Sequence, residues 1–354
     1  MPTPDTMRAW RVTRLGEPVD ALSLDEVAVT SPAPGEVLVR VRAVAANFPD
    51  VLLCRGLYQV KPELPFVPGI ELVGDVAGLG DGVDGFAVGD RVLASKIGVL
   101  SEYAVLPASD VWAAPASLTD AAASGLTVAY QTSWFALHRR AALQSGEWLL
   151  VHAAAGGVGL AAVQLGAAAG ARVIGVVGSA AKAEIARAAG AEVVLVRGVD
   201  DIVGGVKSAT AGHGADVVFD PVGGDAFVAS TKCIAFEGRI VVVGFAGGTI
   251  QELPAGHVLV KNYSVLGLHW GMYPGIRPDL VDVARAELVR LADSGAIAPV
   301  VDHIVPFDRA PEALTALAGG ATVGRVVIEV APSVREPAEA RSVPEPVEGR
   351  EVAP

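Results

Sequence analysis

The sequence is poor in cysteine. Its 354 residues contain only two, Cys54 and Cys233, far apart in the chain. Two cysteines at this spacing form neither a disulfide framework nor a recognisable metal-binding motif. This argues against a disulfide-stapled secreted fold, and we predict a protein of the reducing cytoplasm.

Aromatic residues and basic charge are also scarce. Aromatic residues make up 5% of a chain that is 52% hydrophobic, so the core must consist mainly of Ala, Val and Leu. These residue types suit close packing of helices on buried strands. Lys and Arg number 27 against 39 Asp and Glu, a formal net charge of −12. Nucleic acids and anionic membranes prefer basic surfaces, so we expect neither as a partner.

No segment has the pattern of a signal peptide or a membrane span. Residues 1–5 offer neither a basic start nor an apolar run. Residues 148–171 contain no Asp, Glu, Lys or Arg, which is long enough for a membrane helix on composition alone. Gly156, Gly157 and Gly159 interrupt this stretch, however, and the pattern predicts a strand, a tight turn and a helix.

Hydrophobic patterning divides the chain into two kinds of structure. Within residues 37–45, Arg40 and Arg42 alternate with the apolar Val39, Val41 and Ala43, and further short β-type runs follow between Gly/Asp-rich turns. This predicts a mostly β unit over residues 7–122. Over residues 123–268, strands and helices alternate at the spacing of right-handed βαβ units. We predict there an α/β domain with a doubly wound parallel sheet, the Rossmann arrangement.

Other predictions concern the remaining segments. An Ala-rich run at residues 121–137 predicts one continuous helix. We expect residues 269–330 to return to the β unit through an amphipathic helix at 279–293 and a final strand. Residues 331–354 hold five prolines and eight charged residues, which predicts a disordered tail.

The strongest local motif is the run VHAAAGGVG, which ends at Gly159. It follows an apolar strand and opens a predicted helix, the context that a dinucleotide fingerprint requires. Gly156 lets the backbone approach a pyrophosphate, and Gly159 lets the helix pack close to the strand. Ala154 replaces the first glycine of the common pattern, so a glycine-rich turn in a domain that binds no nucleotide is the alternative. We predict cofactor contacts at Gly156, Gly157, Val158 and Gly159.

The residues after the next strand bear on the choice between NAD and NADP. NAD sites place an Asp or Glu about 20 residues further on, where it binds the ribose 2′-hydroxyl. Here the strand leads to Ser179 without an acid, Lys182 follows, and Arg197 ends the third strand. The missing carboxylate and the nearby cations suit a 2′-phosphate. Taken singly, either cation would be interpreted as an ordinary surface charge. We predict NADPH, held by Ser179, Lys182 and Arg197.

A second motif lies in residues 44–71, which read VAANFPDVLLCRGLY and then QVKPELPFVPGIE. This segment resembles the N-x-x-D, R-x-G-x-Y and P-x-L-P-x-x-P-G-x-E signature of the zinc-free quinone oxidoreductases. That zeta-crystallin-like group is a branch of the medium-chain dehydrogenase/reductase superfamily. With the A-x-x-G-x-x-G loop, the resemblance covers about residues 7–330. It implies a Rossmann domain joined to a mostly β, GroES-like catalytic domain. It also implies a homodimer, for which residues 263–268 are the candidate edge-to-edge contact.

The same comparison predicts that the protein holds no metal. Where the zinc-dependent alcohol dehydrogenases of this superfamily carry a cysteine ligand, this chain has Asn47. Where they have Gly-His-Glu, it has Gly69-Ile70-Glu71, and the third ligand region, around Thr127, has no cysteine. A catalytic zinc needs three protein ligands. Without a Lewis acid, hydride transfer to a quinone or an α,β-unsaturated carbonyl remains feasible, because such acceptors stabilise their own negative charge.

The resemblance assigns four residues to the catalytic cleft. It implies that Asn47, Asp50 and Tyr58 line the cleft and that Thr127 lies near the nicotinamide. Tyr58 is the candidate proton donor, because a tyrosine with a pKa of about 10 is protonated at neutral pH. Each residue has an ordinary alternative. In the non-catalytic interpretation, Asn47 caps a turn and Asp50 caps a helix. Thr127 is then a plain helix residue, and Tyr58 packs as an apolar ring.

Three later residues complete the predicted cofactor site. Gly244 and Phe245 follow a strand at the carboxyl edge of the sheet, where nicotinamide would lie. Arg325 resembles a C-terminal cofactor-contacting stretch. We interpret His152 and His269 as structural histidines, with the border of the substrate pocket as the alternative for His269.

Three functions remain open from the sequence. The leading hypothesis is NADPH-dependent hydride transfer to quinones. The second is NADPH-dependent reduction of enoyl thioesters or alkenals, since those relatives share the zinc-free scaffold and the tyrosine. The third is an NADPH-binding protein with a structural or regulatory role. No G-x-S-x-G elbow, Walker loop or HExxH motif occurs, which disfavours hydrolases and NTPases.

Overall fold

The computed structural model describes residues 3–331, and the predicted tail at 331–354 lies outside this range apart from its first residue. Fifteen strands occur in the described part of the chain. They are β1 Thr6–Val12, β2 Leu22–Ala28, β3 Glu36–Ala45, β4 Glu71–Leu79, β5 Arg91–Ser95, β6 Tyr103–Pro107, β7 Val111–Ala113, β8 Trp148–His152, β9 Arg172–Val177, β10 Val193–Val196, β11 Ala215–Asp220, β12 Ile234–Val242, β13 Ser264–Gly267, β14 Val301–Pro306 and β15 Arg325–Glu329.

Helices cover both faces of one sheet and the flanks of another. They are α1 Pro18–Ala21, α2 Phe48–Cys54, α3 Asp120–Ser124, α4 Thr127–Trp134, α5 Gly157–Ala168, α6 Ala180–Ala188, α7 Ile202–Ala209, α8 Asp225–Cys233, α9 Ala255–Lys261, α10 Tyr273–Ile276, α11 Pro278–Asp293 and α12 Ala310–Ala318. Short 3₁₀ turns lie at Ala108–Asp110, Trp270–Met272 and Phe307–Arg309, and a π-helical turn at Phe135–Arg140. Across residues 3–331, no helix combines the length and the apolar character that a membrane span needs.

The predicted parallel sheet is confirmed. Its six strands are all parallel and run in the order β10-β9-β8-β11-β12-β13, the Rossmann strand order. Every residue of β8 is buried, and its side chains alternate between two apolar clusters. A strand covered by helices on both faces has to be apolar throughout. The order reverses between β8 and β11, so the crevice at that point becomes the candidate ligand site.

The predicted β unit forms a second sheet. Its seven strands run β14-β15-β3-β4-β5-β7, with β6 also paired to β3, and all pairs except β14–β15 are antiparallel. A two-stranded ribbon of β1 and β2 accompanies it. A separate apolar cluster fills this unit. The two-part fold class expected from the sequence is therefore confirmed.

The single helix predicted at residues 121–137 is wrong in detail. The segment consists of α3, a break at Gly125, α4 and the π-helical turn. A Cβ on Gly125 would lie 2.9 Å from Cγ of Arg325, so the chain bends where this distant side chain passes. Alanine content predicts helix but carries no information on such a crossing.

The last helices and strands connect the two sheets. Strands β14 and β15 join the β unit, as expected. Helix α11 contacts both units, since Trp134 of α4 donates to Glu287 at 2.8 Å and Arg285 donates to the carbonyl oxygen of Ser109 at 2.8 Å. The division of the chain at residue 268 stays a prediction.

Candidate active site

The glycine loop joins β8 to α5 and leaves the first turn of that helix free to bind an anion. Gly156 occupies the N-cap of α5 in an extended conformation, without a side-chain cap. A Cβ on Gly159 would lie 2.0 Å from the carbonyl oxygen of Ala153, so only glycine fits there. The helix therefore packs directly on the loop, and its uncapped N–H groups form a site suited to a pyrophosphate.

A cavity of about 510 Å³ opens in front of this loop, at the crevice where the strand order reverses. Ligands of doubly wound sheets bind at this place. Phe48 at the start of α2 reaches its wall from the β unit. Six of the ten predicted cofactor residues line the cavity: Gly156, Gly157, Val158, Ser179, Lys182 and Arg197. Gly159 lies under the loop, and Gly244, Phe245 and Arg325 are not part of the described lining.

One wall of the cavity is positively charged. Ser179 follows β9 and is the N-cap of α6, and its side chain makes no cap hydrogen bond. Nζ of Lys182 donates to the carbonyl oxygens of Gly320 and Thr322, both at 3.1 Å. Arg197 lies beside them in the lining, which includes no Asp or Glu among residues 3–331. Lys182 thus also ties the parallel-sheet domain to the loop that leads into β15.

Gly244 and Phe245 belong to a loop that is docked on the end of β11. Nε2 of Gln251 donates to the carbonyl oxygen of Gly244 at 2.7 Å and to Asp220 at 3.1 Å. Asp220 is fully buried and accepts two backbone N–H groups of the turn that follows β11. Neither Asp220 nor Gln251 was among the residues predicted from the sequence. An acidic residue at the carboxyl end of a buried parallel strand was the available signal for Asp220.

Three predicted site residues meet at a buried carboxylate, Glu71. Arg325 forms an ion pair with Glu71 and donates to Oδ1 of Asn47 at 3.0 Å. Nδ2 of Asn47 donates to Glu71 at 2.9 Å, and the hydroxyl of Thr127 donates to its other oxygen. Glu71 and Thr127 are fully buried. These four residues, the Glu71 cluster, join β4 and β15 to the starts of α2 and α4.

Asn47 lies at the start of α2, but its side chain makes no cap hydrogen bond there. Asn47 is the N-cap of α2, and its second amide hydrogen is donated to the carbonyl oxygen of Ala45 at 3.0 Å. Asp50, at the third position of the helix, accepts the N–H of Asn47 at 2.8 Å. Glu71 was not among the site residues predicted from the sequence, yet Asn47, Thr127 and Arg325 all bind its carboxylate. The catalytic roles of Asn47, Asp50 and Thr127 stay predictions.

Asp50 is a second buried carboxylate beside the Glu71 cluster. It is fully buried, and its Oδ1 has no hydrogen-bond donor within the described chain. Burial raises the pKa of Asp50 to about 7, and the neighbouring charge of Glu71 adds to the rise. A buried carboxylate with one unpaired oxygen is costly, so a large fraction of Asp50 is neutral near physiological pH.

Tyr58 lies four residues after the end of α2 and is half-buried. Burial raises the pKa of its phenol, and the charge of Asp50 raises it further. The hydroxyl therefore stays protonated at neutral pH. A neutral phenol is a competent hydrogen-bond and proton donor.

The region around Glu71 does not fit a catalytic zinc. Asn47 and Ile70 stand where the zinc enzymes have cysteine and histidine, and the guanidinium of Arg325 is bound to Glu71 there. Within residues 3–331, no three His, Cys, Asp or Glu side chains are placed to hold a metal ion together. Zinc needs a set of at least three anionic or imidazole ligands, so no chemical step is assigned to a metal.

The two histidines that we interpreted as structural have different surroundings. His152 is buried, contacts Ser230 and lines the cavity. His269 is exposed at the start of the 3₁₀ turn Trp270–Met272. Of the two, His152 is the one at the candidate cofactor site.

Comparisons with known proteins cover both sheets. Family models match the alcohol dehydrogenase GroES-like domain over residues 33–116 and the zinc-binding dehydrogenase domain over residues 157–286. The quinone oxidoreductase-like protein 2 homolog of Nematostella vectensis is 38% identical over 325 residues, which span 91% of this chain and 88% of that protein.

Solved structures agree with this assignment. A probable oxidoreductase from Mycobacterium abscessus superposes with a TM-score of 0.84 at 36% identity, over 93% of this chain and all of that one. The Escherichia coli quinone oxidoreductase, solved in complex with NADPH, superposes with a TM-score of 0.84 at 31% identity, over 91% of this chain and all of that one. The family predicted from the two motifs is confirmed. The chain belongs to the quinone oxidoreductase-like branch of the medium-chain dehydrogenase/reductase superfamily.

Proposed function

We propose that this protein is an NADPH-dependent oxidoreductase that transfers hydride to quinones without a catalytic metal. The observation that carries the proposal is the charge of the cavity wall, where Ser179, Lys182 and Arg197 lie together and no acid is part of the described lining. An NAD site would place a carboxylate at this wall. Cations bind a 2′-phosphate instead. The NADPH complex of the Escherichia coli relative supports the same cofactor.

Each predicted site residue then has a proposed task, with Gly244, Phe245 and Tyr58 acting from outside the described cavity lining. Bound NADPH supplies the hydride. The first turn of α5 binds the pyrophosphate, and Ser179, Lys182 and Arg197 bind the 2′-phosphate. The loop at 244–245 borders the nicotinamide. Tyr58 donates from its neutral phenol to the acceptor oxygen, which gains negative charge as hydride arrives.

The Glu71 cluster favours a quinone over a simple carbonyl acceptor. The positive charge of Arg325 is compensated by Glu71, and both side chains are almost completely buried. Arg325, bound to Glu71, is therefore not an unpaired cation that could polarise a carbonyl. An acceptor that delocalises its own negative charge, such as a quinone, suits this site. The names of the quinone oxidoreductase-like relatives support that substrate class.

Cofactor choice gives the first prediction. We expect purified protein to oxidise NADPH with 9,10-phenanthrenequinone and 1,4-benzoquinone, and to use NADH poorly. Replacing Arg197 with alanine removes a charge-assisted contact to the 2′-phosphate. The KM for NADPH is expected to rise by about tenfold or more, while the KM for NADH stays within about twofold. Steady-state kinetics with both cofactors measure this.

The exposed Lys207, on α7 and outside the described cavity lining, provides the matched control. Lys207→Ala should leave both KM values unchanged. An equal rise of the KM values for NADPH and NADH in Arg197→Ala would contradict the phosphate contact.

The choice of acceptor distinguishes the remaining functions. Turnover of crotonyl-CoA alone would make the protein an enoyl-thioester reductase. NADPH binding without turnover of any acceptor would make it a non-enzymatic binding protein.

We also propose that two copies pair along the free edge of the parallel sheet. Strand β13, within the predicted contact at 263–268, is the last strand of that sheet. Helix α9 precedes it, and its Leu259 and Val260 are 77% and 78% exposed. An open edge strand beside exposed apolar side chains is a surface that usually pairs with another chain.

Charge at this surface is expected to abolish the dimer. The double variant Leu259→Glu, Val260→Glu would bury four like charges at a two-fold contact, so sedimentation velocity should find a monomer where the wild type is a dimer. Val199 is 81% exposed beyond β10, at the opposite edge of the sheet. Val199→Glu should therefore remain dimeric. A monomeric wild type, or a dimeric double variant, would refute this interface.

A further inference from the structure

His152 stands at the carboxyl end of β8, at the base of the candidate cofactor cavity. Its Nε2 lies 2.8 Å from Oγ of Ser230 on α8. The same Oγ lies 2.8 Å from the carbonyl oxygen of Ala226, one helical turn earlier. The ring is thus held from one side, and only 3% of the residue is exposed.

The number of protons in this chain of contacts determines the tautomer. A serine hydroxyl has a single proton to donate, and a carbonyl oxygen has none. Both contacts are hydrogen bonds only when Ser230 donates to Ala226 and accepts from His152. The proton of the neutral imidazole then resides on Nε2, and Nδ1 is left with an unprotonated lone pair.

The surroundings keep the ring neutral. Burial lowers the pKa of His152 to about 4, Asp220 opposes this effect, and Arg197 adds to it. A cationic ring, which would donate from both nitrogens, is therefore disfavoured at physiological pH. The neutral ring acts as a donor toward Ser230 and as an acceptor on its other side.

Nδ1 is the ring nitrogen that Ser230 does not occupy. Within residues 3–331 no donor reaches Nδ1. The atom is also not fully buried, so its lack of a partner does not leave it isolated in the core. The ring belongs to the cavity lining together with Gly156 and Ala226. The unprotonated nitrogen is thus available to a bound molecule.

We propose that Nδ1 of His152 accepts a hydrogen bond from a free ribose hydroxyl of bound NADPH and thereby positions the dinucleotide over the glycine loop. The proposal rests on the NADPH-binding function proposed above. The lone pair repels phosphate oxygens, which are acceptors. Among the donors of NADPH, the ribose hydroxyls lie nearest to the pyrophosphate that the glycine loop would bind. NADPH has three free ribose hydroxyls, since the adenosine 2′-oxygen carries the phosphate. His152 is accordingly a positioning residue and takes no part in hydride transfer.

Two substitutions test the contacts of the two ring nitrogens one at a time. In His152→Asn the side-chain oxygen falls near the place of Nδ1, so the acceptor is retained and the Ser230 contact is lost. In His152→Gln the amide nitrogen reaches Ser230 as Nε2 does, and the acceptor is lost. We expect His152→Gln to raise the Kd for NADPH by roughly three- to tenfold, the effect of one hydrogen bond, and His152→Asn to raise it by less than about twofold. Thermal unfolding of both variants reports any structural damage separately.

Cofactor analogues identify the partner atom. Among three NADPH analogues, each lacking one free ribose hydroxyl, one should bind wild-type protein several-fold more weakly and bind His152→Gln as NADPH itself does. Additive losses for all three analogues would overturn the contact. Equal rises of Kd in the Asn and Gln variants, in step with equal losses of thermal stability, would reduce His152 to a structural role.

The tautomer has its own readout. In ¹⁵N spectra of histidine-labelled protein, His152, assigned by its loss in either variant, should carry its proton on Nε2 with and without NADPH. A proton on Nδ1 would overturn the proposal while the NADPH function stands. Failure of wild-type protein to bind NADPH at all would overturn the proposed function, and the ribose contact with it.

Discussion

Replacing Arg325 with methionine is expected to lower the free energy of unfolding by about 3–5 kcal/mol, as measured by urea denaturation. The substitution leaves the carboxylate of Glu71 fully buried without its counter-charge and deprives Oδ1 of Asn47 of a donor. Methionine fills a similar volume, so the loss of stability arises from the unpaired charge and not from a cavity. Gly125 lies directly against the Arg325 side chain, so the start of α4 should loosen as well.

A second substitution shows that the buried charge is the cause. Adding Glu71→Gln to Arg325→Met removes the unpaired carboxylate and should recover a large part of the lost stability. The exposed pair Arg309–Glu312, with side chains 59% and 55% exposed, is the matched control. Arg309→Met should change stability by less than about 0.5 kcal/mol. Equal effects of the Arg325 and Arg309 substitutions would mean that the Glu71 cluster contributes no more than a surface ion pair.

The stability of the protein is expected to fall between about pH 4 and pH 7 because of Asp50. Its pKa in the folded protein is about 7, while that of an aspartate in an unfolded chain is about 3.9. Between these values the folded state binds more protons than the unfolded state, so the free energy of unfolding decreases as pH rises. The contribution of Asp50 is complete below about pH 4 and is lost above about pH 7. Its size is on the order of 4 kcal/mol.

Asp50→Asn isolates this effect. The side-chain oxygen of asparagine still accepts the N–H of Asn47, and the amide cannot ionise. The variant should match the wild type near pH 4 and exceed its stability at pH 8, as measured by urea denaturation at both values. Asp84, an exposed aspartate in the loop between β4 and β5, is the control, and Asp84→Asn should follow the wild-type profile. Parallel pH profiles for Asp50→Asn and the wild type would contradict the elevated pKa.

Features that depend on neighbours in sequence could be predicted from the sequence. The apolar strands between regularly spaced helices indicated the parallel sheet, because a strand covered on both faces must be apolar throughout. The glycine loop was recognisable because the conformation and close approach that it needs are properties of Gly156 and Gly159 themselves. The absence of an acid after β9 was equally visible, since the expected position is a fixed distance from the loop.

Features that depend on distant contacts could not be predicted in this way. Arg325 pairs with a carboxylate 254 positions away, so no local pattern indicates that it belongs to the Glu71 cluster. The same side chain accounts for the break at Gly125 in a segment whose composition predicts one helix. Lys182 likewise donates to Gly320 and Thr322, which lie about 140 positions further along the chain.

The two-part fold, the family and the glycine loop of the candidate cofactor site could therefore be predicted from local sequence, because periodicity, glycine geometry and motif spacing act over short distances. Which polar groups are paired within this fold depends on contacts that form only when distant segments pack together. Glu71 is paired with Arg325, and His152 contacts Ser230, which is 78 residues away in the sequence. Burial then changed the chemistry of these groups, because the ionisation of Asp50 and His152 depends on the solvent that folding removes around them.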